Sequence, residues 1–250
     1  MILRSMMAAA LAAALPALAA APVERGKVGD TIRVLVAAEE ESVLAAQMAG
    51  RIRQVNAQFG AQIRAGQPLL QFDCDEQDAR LKMAKAELYG AQQNYESKAK
   101  LQAMESVSQL EVEQAASAVE KFRAQVQLYQ AQLRQCSVSA PFSGRVTKLR
   151  VKAHESVTVG QPLIEVVNDR RLKAQLNVPS TWLAQIKANT PFTVRIEETG
   201  NTYEARVRRV NGKVDAVSQS VEIEGEFRGN PADLLPGMSG IATFSDAAKR

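Results

Sequence analysis

The sequence predicts a mixed α+β, elongated multidomain protein, in which a long α-helical hairpin interrupts a β-motif and a small β-barrel follows. The first observation is a repeat, because the motif opens with Gly-Arg and a β-branched residue, at Gly50 and Gly144, and closes with Gly-Gln-Pro-Leu, at Gly66 and Gly160. One offset of 94 residues superimposes both ends, which indicates an internal repeat. The second observation is the region 75–135 between the copies, where good helix formers dominate. The hairpin therefore projects from the junction of the two copies.

The first residues predict a secretory signal peptide. Arg4 supplies positive charge, an apolar Ala/Leu/Met run follows, and Ala17-Leu18-Ala19 is a small-x-small cleavage signal, with Ala19-Ala20-Ala21 as the alternative. The apolar run is too short for a comfortable transmembrane helix, and no Cys follows the cleavage site to support lipid attachment. The mature chain is therefore expected to be soluble in an oxidising, extracytoplasmic space.

Length leaves the number of domains open, whereas charge and aromatic content argue against a nucleic-acid-binding protein. The 250 residues fit either one sizeable core or two to three small domains. The net charge is +4 and the pI about 9.1, but basic residues alternate with acidic ones, and the chain has only one Trp and four Tyr. Because no basic stripe is interleaved with stacking aromatics, we expect no nucleic-acid partner.

Apolar heptads run through both arms of the hairpin. In the second arm the pattern consists of Val112, Ala115, Val119, Phe122, Val126, Tyr129 and Leu133. In the first arm the recurring positions are Leu81, Ala84, Leu88, Ala91 and Tyr95. This a/d register predicts that the arms pack as an antiparallel coiled coil, each arm about 40 Å long at 1.5 Å per residue.

The turn between the arms forms the tip of the hairpin. Ser108 can N-cap the second arm, with Glu111 three residues on, which is the spacing of a capping box. The tip carries Leu101, Met104 and Val107 without an obvious intramolecular partner. These side chains either close the end of the coiled coil or contact the helices of another protein.

Two cysteines, Cys74 and Cys136, stand at the two ends of the hairpin. They are either two small buried residues or a disulfide across the base of the hairpin. The oxidising compartment, and a hairpin that returns the chain to its starting point, favour the disulfide. A thioredoxin-like redox role is not expected, since the chain has no Cys-x-x-Cys.

Alternating apolar residues predict short strands before and after the hairpin. In the two copies of the motif the apolar positions are Ile52, Val55, Phe59 and Ile63, then Val146, Leu149, Val151 and Val157. Further strands are predicted near residues 32–36, 172–178, 192–196, 203–210, 221–227 and 240–244, with a short helix after Pro179. Several short strands and one helix in about eighty residues predict a small β-barrel.

No catalytic or metal site can be assembled from the sequence. The only histidine, His154, aligns with Gly60 of the first copy and is expected on a solvent-facing turn. No nucleophile, base or paired-carboxylate constellation surrounds it, so no enzyme activity and no cofactor are expected. The acidic residues around Asp75 suit the N-terminus of a helix, and the methionines are scattered, so direct metal binding is not expected.

The order of these segments resembles the periplasmic adaptor family, also called membrane fusion proteins or HlyD-like proteins, of tripartite efflux and secretion systems. The segments that carry the resemblance are 139–146 (Ser-Ala-Pro-Phe-Ser-Gly-Arg-Val), 160–163 (Gly-Gln-Pro-Leu), Val178-Pro179, Val214-Asp215 and 235–238 (Leu-Pro-Gly-Met). The resemblance covers nearly all of the mature chain.

The resemblance implies a location and partners. The two motifs would form a split lipoyl-like β-domain with turns at Gly50, Gly66, Gly144 and Gly160. The hairpin tip, including Ser108, would dock on a TolC-type outer-membrane channel, and the barrel would face an inner-membrane transporter. The protein would be periplasmic, associated with the inner-membrane pump, and a homo-oligomer, typically a hexamer.

The type of transporter is predicted from how the chain departs from the family pattern. Many adaptors of resistance-nodulation-division pumps carry an Arg, Leu, Ser pattern at the tip; Leu101 and Ser108 match it, whereas Ser97 replaces the arginine. A cleaved signal peptide favours a resistance-nodulation-division transporter. The alternative is an adaptor of an ATP-binding-cassette or major-facilitator secretion system. A lipoyl or biotinyl carrier is a remote alternative, because the hairpin replaces the turn that would carry the modified lysine.

The predicted division of the chain follows from these elements. The segments are a signal peptide (1–19), a lead-in with the first barrel strand (20–41), the first lipoyl-like half (42–74), the α-helical hairpin (75–135), the second lipoyl-like half (136–169), the β-barrel (170–246) and a tail (247–250). Because the sequence ends soon after the barrel, contact with the transporter is expected to involve the barrel.

Overall fold

A computed structural model describes residues 32–229 and 231–244 of the chain. The predicted signal peptide and the tail lie outside the described residues. The strands are β1 Ile32–Ala38, β2 Glu41–Ala45, β3 Gly50–Val55, β4 Gln62–Ile63, β5 Pro68–Phe72, β6 Ser137–Ser139, β7 Gly144–Leu149, β8 Ser156–Val157, β9 Pro162–Val167, β10 Leu172–Pro179, β11 Pro191–Ile196, β12 Thr202–Val210, β13 Ser220–Phe227 and β14 Ser239–Phe244. The helices are α1 Asp75–Ala103 and α2 Gln109–Arg134, with a 3-10 helix at Ser180–Ala184.

The two copies of the repeat form a β-sandwich of two four-stranded sheets. One sheet has the order β2-β9-β7-β4 and the other β6-β5-β3-β8, and every pair of neighbouring strands is antiparallel. Ile52, Leu69, Leu70, Leu163 and Ile164 are fully buried in the core that the sheets share. The repeated Gly-Gln-Pro-Leu sequence therefore places one leucine of each copy in the same core.

Each copy completes the other through matching contacts. In the first copy Gly50 pairs with Val157, and at the equivalent position of the second copy Gly144 pairs with Ile63. Three pairs of backbone hydrogen bonds are related by the same offset. The Ile52 N–H donates to Glu155 O as the Val146 N–H donates to Ala61 O, and the His154 N–H donates to Ile52 O as the Gly60 N–H donates to Val146 O. In the third pair, the Gly66 N–H donates to Ala140 O as the Gly160 N–H donates to Ala46 O. The repeat in the sequence is thus an approximate two-fold symmetry in which each copy's turn is bonded to the other copy's strand.

The arginine of each Gly-Arg motif follows the same symmetry. Arg51 Nε donates to the carbonyl oxygen of His154 at 3.3 Å, and Arg145 Nη1 donates to that of Gly60 at 2.9 Å. Gly60 and His154 have positive φ angles, 76° and 71°. His154 is exposed on its turn, where a left-handed backbone is the structural requirement that it shares with Gly60.

The two long helices pack against each other. Leu81 and Ala84 of α1 and Val126 of α2 form a buried cluster, with Leu88 and Tyr129 partly buried beside it. Every predicted heptad position of α2 is at least half-buried. The register prediction is wrong at Tyr95 of α1, which is 38% exposed. A straight helix drifts by about 20° per heptad, so a position two heptads beyond Leu81 turns out of the interface.

The remaining strands close into a six-stranded barrel of order β1-β10-β13-β12-β11-β14. Burial alternates along β11 and β13, which places every second side chain inside. Trp182 of the 3-10 helix meets Phe244 edge-to-face, and Phe192 stacks on Phe244. Strand β1 precedes the repeat in sequence but pairs with β10 and β14, so the barrel includes segments from both sides of the β-sandwich.

The barrel and the β-sandwich are joined by two chain segments, one between β1 and β2 and one between β9 and β10. A network of polar side-chain contacts connects the two segments. The side chain of Asn168, 7% exposed, donates to Glu40 Oε2 at 2.7 Å and accepts from the amides of Arg170 and Arg171. Arg208 of β12 donates to Glu39 at 2.5 Å, and this hydrogen bond holds the pKa of Glu39 below its usual value. The junction is therefore held by side-chain contacts as well as by the two connections.

Candidate functional site

Hydrogen bonds order both ends of the connection between α1 and α2. At the end of α1, Glu105 N donates to Gln102 O at 2.8 Å and Ser106 N donates to Leu101 O at 3.0 Å. Glu105 has a φ of 57°, so these bonds form a Schellman motif with Glu105 in the left-handed position. At the start of α2, Ser108 forms the predicted capping box with Glu111. The tip of the helix pair therefore presents its side chains from an ordered backbone.

The tip side chains differ in exposure. Met104 is 74% exposed and Leu101 39% exposed, whereas Val107 is half-buried. Leu110, in the first turn of α2, is 63% exposed and was not selected from the sequence. Its position, at the start of a strongly helical stretch and two residues before the heptad position Val112, is the signal that could have identified it as outward-facing. The tip is thus more apolar than predicted.

Replacing Ser108 with alanine is expected to weaken the first turn of α2 by about 1 kcal/mol, since the N–H of Glu111 loses the side-chain acceptor Ser108 Oγ at 3.3 Å and keeps only the Ser108 carbonyl at 3.2 Å. Hydrogen exchange at Glu111 and its neighbours measures this effect. Ser106→Ala is the matched control, because Ser106 Oγ donates only to Met104 O within the same loop. Equal exchange rates in the two variants would contradict a structural role for the cap.

The base of the helix pair carries a disulfide bond. Cys74 and Cys136 are bonded, with their Cα atoms 6.2 Å apart and a sequence separation of 62. Cys74 directly precedes α1, and Cys136 directly precedes β6. The Phe72 N–H donates to Cys136 O at 2.8 Å, so this hydrogen bond continues the β5–β6 pairing by one step, and the disulfide lies directly beyond it. Both helices are held where they leave the β-sandwich.

Charged side chains surround this base. Arg53 of β3 donates to Asp73 at 2.7 Å and to Asp75 at 2.5 Å. The hydrogen bond from Arg53 lowers the pKa of Asp73. Within α1, Glu76 pairs with Arg80 and Asp78 with Lys82. Each acidic residue at the start of α1 therefore has a basic partner as well as the favourable helix dipole.

The four predicted turn glycines fall into two pairs. Gly66 and Gly160 have φ angles of 77° and 82°, which favour glycine. Gly50 and Gly144 lie at the start of strands, and a side chain at Gly144 would overlap the carbonyl oxygen of Val167. The closing glycines thus serve backbone conformation, whereas Gly144 permits close approach of β9.

Two further features are absent from the described residues. Residues 32–229 and 231–244 contain no cluster of three or more His, Cys, Asp or Glu side chains placed to hold a metal ion. Neither of the two long helices is apolar enough over a sufficient length to cross a bilayer.

The fold defines a class of protein: a β-sandwich built from a repeat, an inserted helix pair and a following barrel. A family model described as the barrel-sandwich hybrid domain of RND membrane fusion proteins matches residues 40–169, which is more than half of the chain. The chain belongs to this family of membrane fusion adaptors. The predicted resemblance to periplasmic adaptor proteins is confirmed.

Two relatives and one solved structure show how far the similarity extends. An uncharacterised protein of Haemophilus influenzae is 24% identical over 208 residues, covering 82% of this chain and 54% of its own. The multidrug resistance protein MexA of Pseudomonas aeruginosa is 26% identical over 208 residues, covering 76% and 54%. The chain therefore spans about half the length of these relatives.

A crystal structure of a MacA–MexA chimeric protein, containing the MexA α-hairpin domain of Pseudomonas aeruginosa, superimposes with a TM-score of 0.78. It is 20% identical in sequence, and the match covers 87% of this chain and 78% of the chimera. This likeness shows a shared fold.

Proposed function

We propose that this protein is the periplasmic adaptor subunit of a tripartite efflux pump, and that the tip of its helix pair docks on a TolC-type outer-membrane channel. The observation that carries the proposal is the tip itself, where Met104, Leu101 and Leu110 are exposed at the end of two long helices. The 29 residues of α1 span about 40 Å, so these side chains lie far from either β-structure.

The backbone of the tip supports a docking role. A flexible loop that displays exposed apolar side chains would lose conformational entropy when a partner binds and orders it. Here the Schellman motif at the end of α1 and the capping box at the start of α2 already hold the backbone on both sides of the turn. A partner that packs helices against this tip gains apolar contact without ordering the loop, which is the helix-recognition mode of many assemblies.

Finer features of the fold belong to the same proposal. We interpret the helix pair as an antiparallel coiled coil, since the buried positions of α2 repeat with heptad spacing at Ala115, Val119 and Val126. We interpret the β-sandwich as a split lipoyl-like domain, in which the helix pair takes the place of a tight turn. The disulfide and the Arg53 contacts fix the direction in which the helices leave that domain.

The remaining assignments are supported by the family. The matched family model is that of RND membrane fusion proteins, which favours a resistance-nodulation-division transporter as the inner-membrane partner. The relative MexA is named a multidrug resistance protein, which favours efflux. The adaptor would act without enzymatic activity or cofactor, as a homo-oligomer, in the periplasm after cleavage of its signal peptide.

Replacing Met104 with aspartate is expected to reduce recovery of the outer-membrane channel with the adaptor about tenfold or more, because the tip would place a charge in an apolar contact. The measurement is affinity purification of the tagged protein from cells, with the channel quantified by mass spectrometry. A photo-cross-linking residue at position 104 is expected to capture the same channel.

Met83→Asp is the matched control. Met83 is a second exposed methionine of α1, 53% exposed, and lies 21 residues before Met104, about 30 Å along the helix. The substitution at Met83 should leave channel recovery unchanged. Unchanged recovery with Met104→Asp, together with no channel adduct from position 104, would overturn the docking proposal.

A further inference from the structure

A third sulfur atom lies beside the disulfide at the base of the helix pair. Met48 Sδ is 4.0 Å from Cys74 Sγ, although the two residues are 26 positions apart in the sequence. Met48 belongs to the connection between β2 and β3, whereas Cys74 precedes α1 and Cys136 precedes β6. The methionines are scattered along the sequence, but the fold brings this one to the pair of cysteines.

The surroundings of the three sulfur atoms are apolar. Cys74 is 9% exposed, and Met48 and Cys136 pack, partly buried, against the core of the β-sandwich. Cys74 is also the N-cap residue of α1. The N-terminus of a helix carries a partial positive charge, which offsets the negative charge of thiolates held beside it. The base of the helix pair can therefore accommodate two cysteine thiolates and a thioether.

This set of sulfur atoms favours a soft monovalent metal ion. Thiolate and thioether ligands select Cu(I), whereas Zn(II) takes four ligands in a tetrahedron, drawn from cysteine, histidine and carboxylate side chains. The part of the chain that the structure describes has no cluster of three or more His, Cys, Asp or Glu side chains that could hold such an ion. Because a methionine completes the set of three, Cu(I) is the ion that the site fits.

The separations of the sulfur atoms suit a metal ion with three ligands. An ion placed at about 2.3 Å from each of three sulfurs, in one plane, holds those sulfurs about 4.0 Å apart. Met48 Sδ and Cys74 Sγ already have this separation. The Cα atoms of Cys74 and Cys136 are 6.2 Å apart, so rotation of the two side chains brings their sulfurs to the same separation once the disulfide is opened.

Opening the disulfide requires a reductant, and a dithiol supplies the two electrons. One thiolate of the dithiol attacks Cys136 Sγ, since Cys136 is the less buried cysteine, and the bond breaks with its electron pair on Cys74. The second thiol then displaces Cys136 from the mixed disulfide, and the dithiol leaves as a disulfide. The two cysteine thiols release their protons when they bind the metal ion as thiolates.

We propose that Cys74, Cys136 and Met48 form a Cu(I) site when the disulfide is reduced. The bound ion joins the start of α1 to the start of β6 in place of the disulfide, so the base of the helix pair stays cross-linked. This inference does not depend on docking of the tip, because the tip lies at the other end of the 29-residue helix α1.

The test is Cu(I) binding by the isolated full chain, both oxidised and after reduction with a phosphine that is removed under nitrogen. In competition with the chelator bathocuproine disulfonate, the reduced protein is expected to bind a single Cu(I) ion and the oxidised protein none. Met48→Leu keeps the size of the side chain but removes a ligand, so it is expected to weaken binding about tenfold or more. Met83→Leu is the matched control, since Met83 is an exposed methionine of α1 and should not affect binding.

Two further measurements distinguish this site from copper bound elsewhere. X-ray absorption of the loaded protein should show three sulfur ligands at about 2.3 Å and no oxygen or nitrogen ligand. Cu(I) should raise the unfolding midpoint of the reduced protein but not that of the Cys74→Ala/Cys136→Ala variant.

Three outcomes would overturn the proposal. They are no binding by the reduced protein, equal affinity of Met48→Leu and Met83→Leu, and equal affinity of the oxidised and reduced proteins. Equal unfolding midpoints of the two oxidised methionine variants show that a weaker affinity of Met48→Leu does not come from misfolding. If Met48→Leu does not fold, the double cysteine variant decides, because Cu(I) bound by that variant as tightly as by the reduced protein also overturns the site.

Discussion

Replacing Gly144 with alanine is expected to destabilise the β-sandwich by about 3 kcal/mol or more, the upper range for forcing a group into a packed interior. The added Cβ would overlap the carbonyl oxygen of Val167, an atom of the β9 backbone rather than a movable side chain. Strand β9 also carries Leu163 and Ile164, which are fully buried. Because β9 cannot move without disrupting the packing of this core, relieving the overlap would itself cost stability.

The control for this prediction is Gly50→Ala, the equivalent position of the first copy. A Cβ at Gly50 would lie 3.6 Å from Phe72 Cδ1 and 3.7 Å from Met48 Cε, which are ordinary contact distances. We expect a change of less than about 1 kcal/mol, within the range of tolerated substitutions. Urea unfolding followed by circular dichroism should give a midpoint about 1 M lower, or more, for Gly144→Ala only. Similar midpoints for the two variants would contradict the overlap.

Removing the disulfide is expected to lower the free energy of unfolding of the β-sandwich and helix pair by about 4 kcal/mol. The bond closes a loop with a sequence separation of 62, and in the chain-entropy model the effect depends on that length. The β5–β6 pairing and the Phe72 N–H to Cys136 O hydrogen bond remain, so the native fold should persist with a lower midpoint. The test is unfolding of the Cys74→Ala/Cys136→Ala double variant.

Reductant provides the internal control for the disulfide. Dithiothreitol should lower the unfolding midpoint of the unsubstituted protein to that of the double variant, and should leave the double variant unchanged. A double variant as stable as the unsubstituted protein would show that the strand pairing alone holds the base of the helix pair.

Local periodicity explains which elements could be predicted. The heptads of α2, the capping box at Ser108 and the alternating strands of the barrel are patterns within short windows, and the structure reproduces them. The repeat was visible because both ends of the motif kept the same residues. These features depend on sequence neighbours, so no knowledge of the tertiary fold was needed to find them.

Other features depend on contacts between distant residues. Phe59 fits the apolar pattern of the first motif, but it is 77% exposed, because the turn that it occupies lies outside the shared core. Glu105 adopts a left-handed conformation without being a glycine, so the end of α1 had no sequence signal for its Schellman motif. Val217 is 95% exposed on the β12–β13 loop, where Asp215 accepts from the amides of Val217 and Ser218, and residue spacing alone did not reveal this turn.

Some residues of the candidate site could also be predicted from local sequence pattern, whereas others required the structure. Its location at the tip, and Met104 and Leu101 within it, could be predicted from apolar residues that lacked a partner in the heptad pattern. Leu110 was missed because a leucine in a helical stretch is more often buried, although its position two residues before Val112 indicates an outward-facing side chain. The reciprocal contacts of Arg51 and Arg145 also required the structure, since the sequence does not say which strand pairs with which turn.

Because each copy's turn is bonded to the other copy's strand, the first half of the β-sandwich cannot be completed during synthesis until the second half has left the ribosome. Leu69 and Leu70 can be fully buried only after Leu163 and Ile164, which belong to the same core, have been synthesised. Contacts within the helix pair, such as the cluster of Leu81 and Val126, join residues closer in sequence than strand pairings such as Gly50 with Val157, so they form faster. Once α1 and α2 pack, residues 74 and 136 come within 6.2 Å, so most of the loop-closure entropy has been overcome before the strands pair. The segment that interrupts the repeat would thus accelerate the folding of the domain that it interrupts.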